Sequence, residues 1–146
     1  MKHSPFVPLA AALLAALCAG AVHAADPPVQ PVVVRSVAYF GVDQARLRTR
    51  DEASILAEVA AMKDVTWQSV SAVGHTDSTG PVAHNRALSD QRAAAVKDYL
   101  VGKGLDPAMI SITGKAAEAP KAPNGTPNGR AKNRRTEIEF QGVRSR

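Results

Sequence analysis

Val70-Ser71-Ala72-Val73-Gly74-His75-Thr76-Asp77-Ser78-Thr79-Gly80-Pro81, continued by Asn85-Arg86-Ala87-Leu88-Ser89-Asp90-Gln91-Arg92-Ala93, decides the fold. The β-branched residues before Gly74 read as the end of a strand covering Val65 to Gly74. Polar residues then turn the chain. Ser78 to Pro81 opens a helix, with Pro81 in the first turn, where a missing amide hydrogen has no intrahelical partner. That helix is expected to run to Val101 and to be stopped by Gly102, Gly104 and Pro107.

On a helical wheel, Leu88, Val96, Tyr99 and Leu100 fall within about 60° of Asn85 and make an apolar stripe. Arg86, Asp90, Lys97 and Asp98 occupy the opposite face. Three polar residues break the pattern: Asn85, Ser89 and Arg92 lie on the stripe, Arg92 near its centre. A guanidinium facing a core costs several kcal/mol unless something answers it. Asp77, in the strand-to-helix loop, is the obvious candidate. Two readings stay open at this point. The two residues form a structural ion pair locking helix to sheet, or they flank a pocket for a zwitterion, Asp77 for an ammonium and Arg92 for a carboxylate.

Working outward, Thr49-Arg50-Asp51-Glu52 has capping-box spacing, and Ile55, Leu56, Val59 and Met62 follow at helical spacing, giving a first helix of about 14 residues. A first strand lies within Val32 to Val42, and Asp43 to Arg48 is a polar connection. After the second helix, Met109 to Thr113 reads as a third strand, with Ile110 and Ile112 on one face. Gly114 to Lys132, with three prolines and two Asn-Gly pairs, reads as mostly loop. Thr136, Ile138 and Phe140 alternate with Glu137 and Glu139 in a half-buried last strand. The order β-α-β-α-β-loop-β predicts an α+β domain: a mixed sheet of about four strands with two main helices on one face.

The first 24 residues have a basic start at Lys2, an apolar run from Phe6 to Gly20, and an Ala21-Val22-His23-Ala24 close, as in an export signal cleaved after Ala24. Residues 25–36 read as a proline-rich linker, 37–140 as the domain and 141–146 as a basic tail. The single cysteine, Cys18, lies in the removed segment, and Leu17 before it does not suit lipidation. No later stretch is long and apolar enough to span a membrane as a helix. Without Lys2 there remain 17 basic and 13 acidic residues, a net charge of +4, concentrated from Lys115 onward. Such a balance would suggest nucleic acid in the cytosol. Export to the periplasm removes that partner and leaves either anionic polymers of the envelope or no particular partner, with most of these charges forming a solvated basic face.

The motif Gly74-His75-Thr76-Asp77-Ser78-Thr79-Gly80, then Asn85 to Ala93, then Gly129-Arg130-Ala131-Lys132-Asn133-Arg134-Arg135 resembles the OmpA-like domain family. That family includes the C-terminal domain of outer membrane protein A and the peptidoglycan-associated lipoprotein. Phe40, Asp43 and Leu47 match its opening strand and turn. The resemblance implies non-covalent binding of peptidoglycan stem peptides, with Asp77 and Arg92 holding the amine and carboxylate of diaminopimelate. It implies that Asn85 and the loop at Thr76 shape the pocket, and that Arg134 and Arg135 lie beside it. Gly114-Lys115-Ala116-Ala117-Glu118-Ala119-Pro120 departs from the family's G-x-G-E-x-x-P, which puts the shape of that loop in question.

Other chemistries find less support. His75, Asp77 and His84 fall close together, but a zinc site wants three or four convergent ligands, and no firm third accompanies them. His75 is expected to position the loop, and no metal or cofactor is expected. Ser78 and Ser89 lack a base-and-orienter set, so the chain is not expected to be an enzyme. The alternative reading is an envelope protein–protein interaction module of the same fold, its basic tail docking a partner.

Overall fold

The computed structural model describes residues 28–145. The expected export signal, Cys18 and the start of the expected linker lie outside them. Chain order is β1 (Val29–Tyr39), α1 (Thr49–Ala60), β2 (Val65–Gly74), α2 (Val82–Gly102), a 3-10 turn at Pro107–Met109, β3 (Ile110–Gly114), α3 (Pro127–Asn133) and β4 (Arg135–Ser145). The strands form one mixed sheet in the order β1-β4-β2-β3. β4 runs antiparallel to both neighbours, while β2 and β3 are parallel and joined through α2. Among the described residues no helix is long and apolar enough to cross a membrane.

The last strand is central, which explains its pattern. Thr136, Ile138 and Phe140 are buried against the helices, and Glu137 and Glu139 point to the other face. They join Ala38, Ile55, Val70, Ala72, Val96 and Leu100 in the core. Trp67 packs edge-on against Phe140, ring centroids 5.7 Å apart. Gly74, at the end of β2, is where α2 comes closest: any side chain there would run into the backbone carbonyl of Ser89. The expected architecture is therefore present, including β2 with the boundaries read from the sequence.

Several boundaries differ, each for a physical reason. β1 begins at Val29, inside the stretch read as linker, because Val29 to Val34 pair with Phe140 to Ser145 of β4. Pro31 is tolerated there because β1 is an edge strand and a missing donor need not break the sheet. By the same pairing, Gln141 to Ser145 are strand and not tail. The capping box does not form: Arg48 is the N-cap, with no side-chain cap. Its carbonyl accepts from the amides of Asp51 and Glu52, and the Asp51 carboxylate accepts instead from the Tyr39 amide at 3.3 Å. Pro81 is the N-cap of α2, just outside the helix. Ile110 is buried, but Ile112 stays 42% exposed because β3 is the other edge strand.

The region read as loop contains α3. Thr126 caps it, its hydroxyl accepting from the Gly129 amide at 3.0 Å, and Pro127 takes the first helical position. The preceding loop is held by Asn133, which is completely buried. Its Oδ1 accepts from the amides of Lys121 (2.7 Å) and Ala122 (2.9 Å). Its Nδ2 donates to the carbonyl of Ala122 (2.8 Å) and to Asn124 Oδ1 (2.9 Å). Asn133→Ala strands these partners in the interior. It is expected to lower stability by about 3 kcal/mol, read as a fall in the urea midpoint at unchanged m; a midpoint within error of the parent refutes this role.

Candidate functional site

Beyond Gly74 the chain leaves the sheet slowly. The His75 amide donates to the Arg135 carbonyl at 2.8 Å, and the Thr76 amide to that of Ala116 at 2.9 Å. Ala116 adopts a left-handed backbone (φ 46°) at the position of the family's second glycine. Its amide donates to the Ser89 hydroxyl at 3.0 Å, so α2 holds the loop in shape without the glycine. Asp77 then folds back on itself, Oδ1 accepting from the Thr79 amide at 2.9 Å. Asn85, buried on α2, donates through Nδ2 to the carbonyls of Thr79 (3.0 Å) and Asp77 (3.4 Å). Ser89 and Asn85 thus occupy the apolar stripe because they satisfy loop backbone there.

Arg92 is fully buried, and its answer is not Asp77. Nε donates to the Gln44 carbonyl (2.8 Å), Nη1 to that of His75 (2.8 Å) and Nη2 to that of Gly41 (3.1 Å). The guanidinium carbon sits 5.3 Å from the centre of the Phe40 ring. Burial lowers its pKa to about 10, with Asp77 pulling upward, so the group stays charged at neutral pH. Asp77 pairs instead with Arg134, whose Nη1 lies 3.2 Å from Oδ2 while its Nε donates to the Phe40 carbonyl at 3.1 Å. Burial pushes the Asp77 carboxyl up, but the Thr79 amide and the Arg134 guanidinium outweigh it and hold the pKa below the ordinary value.

These groups line a cleft of about 370 Å³ between the β1–α1 turn, the β2–α2 loop and α2. Thr76, Asp77, Asn85, Arg92 and Arg134 all border it. Arg92 forms part of its floor. A guanidinium has five N–H donors, and three are used. Thr76 Oγ1 is buried with no hydrogen-bond partner among the described residues. The cleft therefore sets one ionised carboxylate beside two guanidinium groups and an unpaired hydroxyl.

Arg135 does not join them. Its Nε donates to Glu137 at 2.9 Å and its Nη2 to the Ala119 carbonyl at 3.2 Å, on the other side of the sheet. It serves the fold.

The OmpA family model matches residues 39–134. The chain belongs to the OmpA family. It is 42% identical over 119 residues to outer membrane protein A of Bordetella avium, covering 81% of this chain and 61% of that protein. It is 45% identical over 100 residues to the peptidoglycan-binding protein ArfA of Mycobacterium bovis, covering 68% and 30%. Among solved structures it is similar to the cell wall anchor of the T6SS from Pseudomonas aeruginosa, with TM-score 0.60, 27% identity and coverage of 82% and 88%. The chain spans less than two thirds of the length of these two curated relatives.

Within this OmpA-family cleft, sequence reasoning missed the rim. Val42, Asp43, Pro81 and His84 border it, and His84 Nε2 lies 2.6 Å from Asp43 Oδ1, bridging the β1–α1 turn to the first turn of α2. The available signal was Asp43 itself: it stands at φ 55°, a backbone region that Asp tolerates better than most residues. His75 and His84 go to different places. The His75 ring is buried on the far side of the loop, 3.7 Å from Glu137, and neither ring nitrogen has a hydrogen-bond partner among the described residues.

Burial, then the charge of Arg135, lowers the His75 pKa from 6.5 to about 4, against the pull of Glu137. A depressed histidine favours the fold while neutral. Its contribution is complete above pH 6.5 and is lost as the unfolded chain takes up the proton between 6.5 and 4. From pH 7 to pH 5 this group is expected to remove about 2 kcal/mol of stability, measurable by urea unfolding. His75→Leu should flatten that part of the profile; an equal slope in the variant refutes it.

Proposed function

We propose that this OmpA-family chain binds peptidoglycan non-covalently in the periplasm, receiving the diaminopimelate head of the stem peptide in the Asp77–Arg134–Arg92 cleft, and that it catalyses nothing. The supporting observation is that Asp77 stays ionised at the border of a cleft it shares with two guanidinium groups. A zwitterion with a free ammonium and a free carboxylate matches that array group for group. Asp77 would take the ammonium. The uncommitted N–H groups of Arg134 would take the carboxylate, with the buried charge of Arg92 attracting it from the floor. Two similar proteins, the peptidoglycan-binding protein ArfA and the cell wall anchor of the T6SS, support the same reading.

The geometry also selects the variants. Arg92→Ala would leave three buried carbonyls unanswered and unfold the protein as readily as it would remove binding. Asp77→Asn keeps the size and the Thr79 contact while removing the charge. The parent protein is expected to sediment with isolated diaminopimelate-type sacculi, and free meso-diaminopimelate should release it. Charge-assisted hydrogen bonds are worth roughly 1.5–3 kcal/mol each, so Asp77→Asn should weaken retention at least about tenfold at an unchanged fold. A parent protein that stays in the supernatant, or a variant retained as well as the parent, overturns the proposal. Soluble muropeptides appearing during incubation would overturn the non-catalytic part alone.

A further inference from the structure

A second hollow, of about 230 Å³, shares Arg134 with the cleft. It lies between the end of β1, the residues entering α1, and α3, and is bordered by Tyr39, Arg48, Arg50, Asn128, Lys132 and Arg134. Four of these are cations, and no carboxylate borders it. Among the described residues neither Arg48 nor Lys132 forms an ion pair; Arg50 has only a long contact, 3.7 Å to Asp51. Arg134 is already paired with Asp77, and the other three like charges around this concavity would be relieved by an anion.

The placement of two of them is itself unfavourable. Arg48 is the N-cap of α1 and Arg50 sits in its first turn, at the end of the helix whose dipole disfavours cations. Lys132, near the C-terminal end of α3, sits where the dipole welcomes it. Helix stability therefore accounts for Lys132 but not for Arg48 and Arg50. An anion seated between them would account for all three.

We infer that this hollow is a second carboxylate subsite, occupied by the same ligand chain that fills the cleft. The inference rests on the peptidoglycan reading above. In the stem peptide, the residue preceding diaminopimelate is a glutamate linked through its side-chain carboxyl, which leaves its α-carboxylate free. With the diaminopimelate head at Asp77, the chain passes Arg134, and that α-carboxylate meets the guanidinium groups of Arg48 and Arg50 and the Lys132 ammonium. The two subsites together read a dipeptide and not a single amino acid.

Calorimetric titration with meso-diaminopimelate, γ-D-glutamyl-meso-diaminopimelate, and the same dipeptide carrying a glutamyl α-carboxamide tests this. The free-acid dipeptide is expected to bind on the order of tenfold more tightly than its amide. The Arg48→Gln/Lys132→Gln variant should bring that ratio close to one and leave the affinity for diaminopimelate unchanged. Its melting temperature should hold or rise, whereas a fold-supporting role for these residues would lower it. Equal binding of acid and amide by the parent protein overturns the subsite, as does a variant that weakens all three ligands alike. Inorganic phosphate, titrated as a free anion, should not erase the acid-over-amide preference at millimolar concentration; erasure would mark a general anion site. Failure of all three ligands to bind the parent overturns the peptidoglycan reading itself, a result distinct from loss of the preference alone.

Discussion

One buried cation ties the molecule together at the point where it must also be open. Arg92 reaches from α2 to three carbonyls on two separate segments, Gly41 and Gln44 in the β1–α1 turn and His75 in the β2–α2 loop. Removing a guanidinium from water costs several kcal/mol, and three charge-assisted hydrogen bonds to neutral acceptors offset most of that. Neutral acceptors matter here. Had Asp77 closed directly on Arg92, both charges would have been spent on each other. Because backbone carbonyls do the satisfying, Arg92 keeps its charge, and Asp77 is left to pair with Arg134 at the border of the cleft.

The consequence runs outward through the rim. Asp77 is steadied by the Thr79 amide and by Arg134, which also holds the Phe40 carbonyl at the end of β1. The cleft walls are thus tied to the end of β1 and to the loop after β2 by groups that also carry the charge pattern. Asn124 extends the same scheme: its Oδ1 accepts from the Ser78 amide at 3.2 Å and from Asn133 Nδ2 at 2.9 Å, linking the loop before α3 to the loop that bears Asp77. Binding chemistry and loop architecture draw on one set of side chains, so few of these residues can change without altering both.

How much of this could be read from the sequence follows from which groups do the work. The strand–loop–helix from Val65 to Gly102 was legible because β-branched residues give way at Gly74 to a polar turn and then to a helical stripe, and Arg92 stood out as a charge on that stripe. Its partners were not legible, since main-chain carbonyls leave no signature in residue types, and the nearest acid was the natural but wrong candidate. Helix α3 was hidden by the same Pro, Asn and Gly residues that mark loops, although Thr126-Pro127 is a serviceable helix start. The ends of β1 and β4 were missed together because each strand is defined by the other: neither Val29–Val33 nor Gln141–Ser145 reads as a strand until they are paired.

Arg134 and Arg135 show where a pattern alone stops. They are adjacent and chemically identical, and the resemblance to the family placed both beside the pocket without saying which of them serves the fold. β4 begins at Arg135, and alternation along a strand sends consecutive side chains to opposite faces. Arg134, in the last position before the strand, reaches toward Asp77 and the cleft. Arg135, opposite Tyr39 in the ladder, reaches Glu137 and the side where the His75 ring is buried. Their roles are therefore set by register: a slip of one residue in β4 would turn Arg134 away from the cleft and deprive Asp77 of its present partner. The ladder that makes β4 the centre of the sheet is also what decides which arginine the cleft receives.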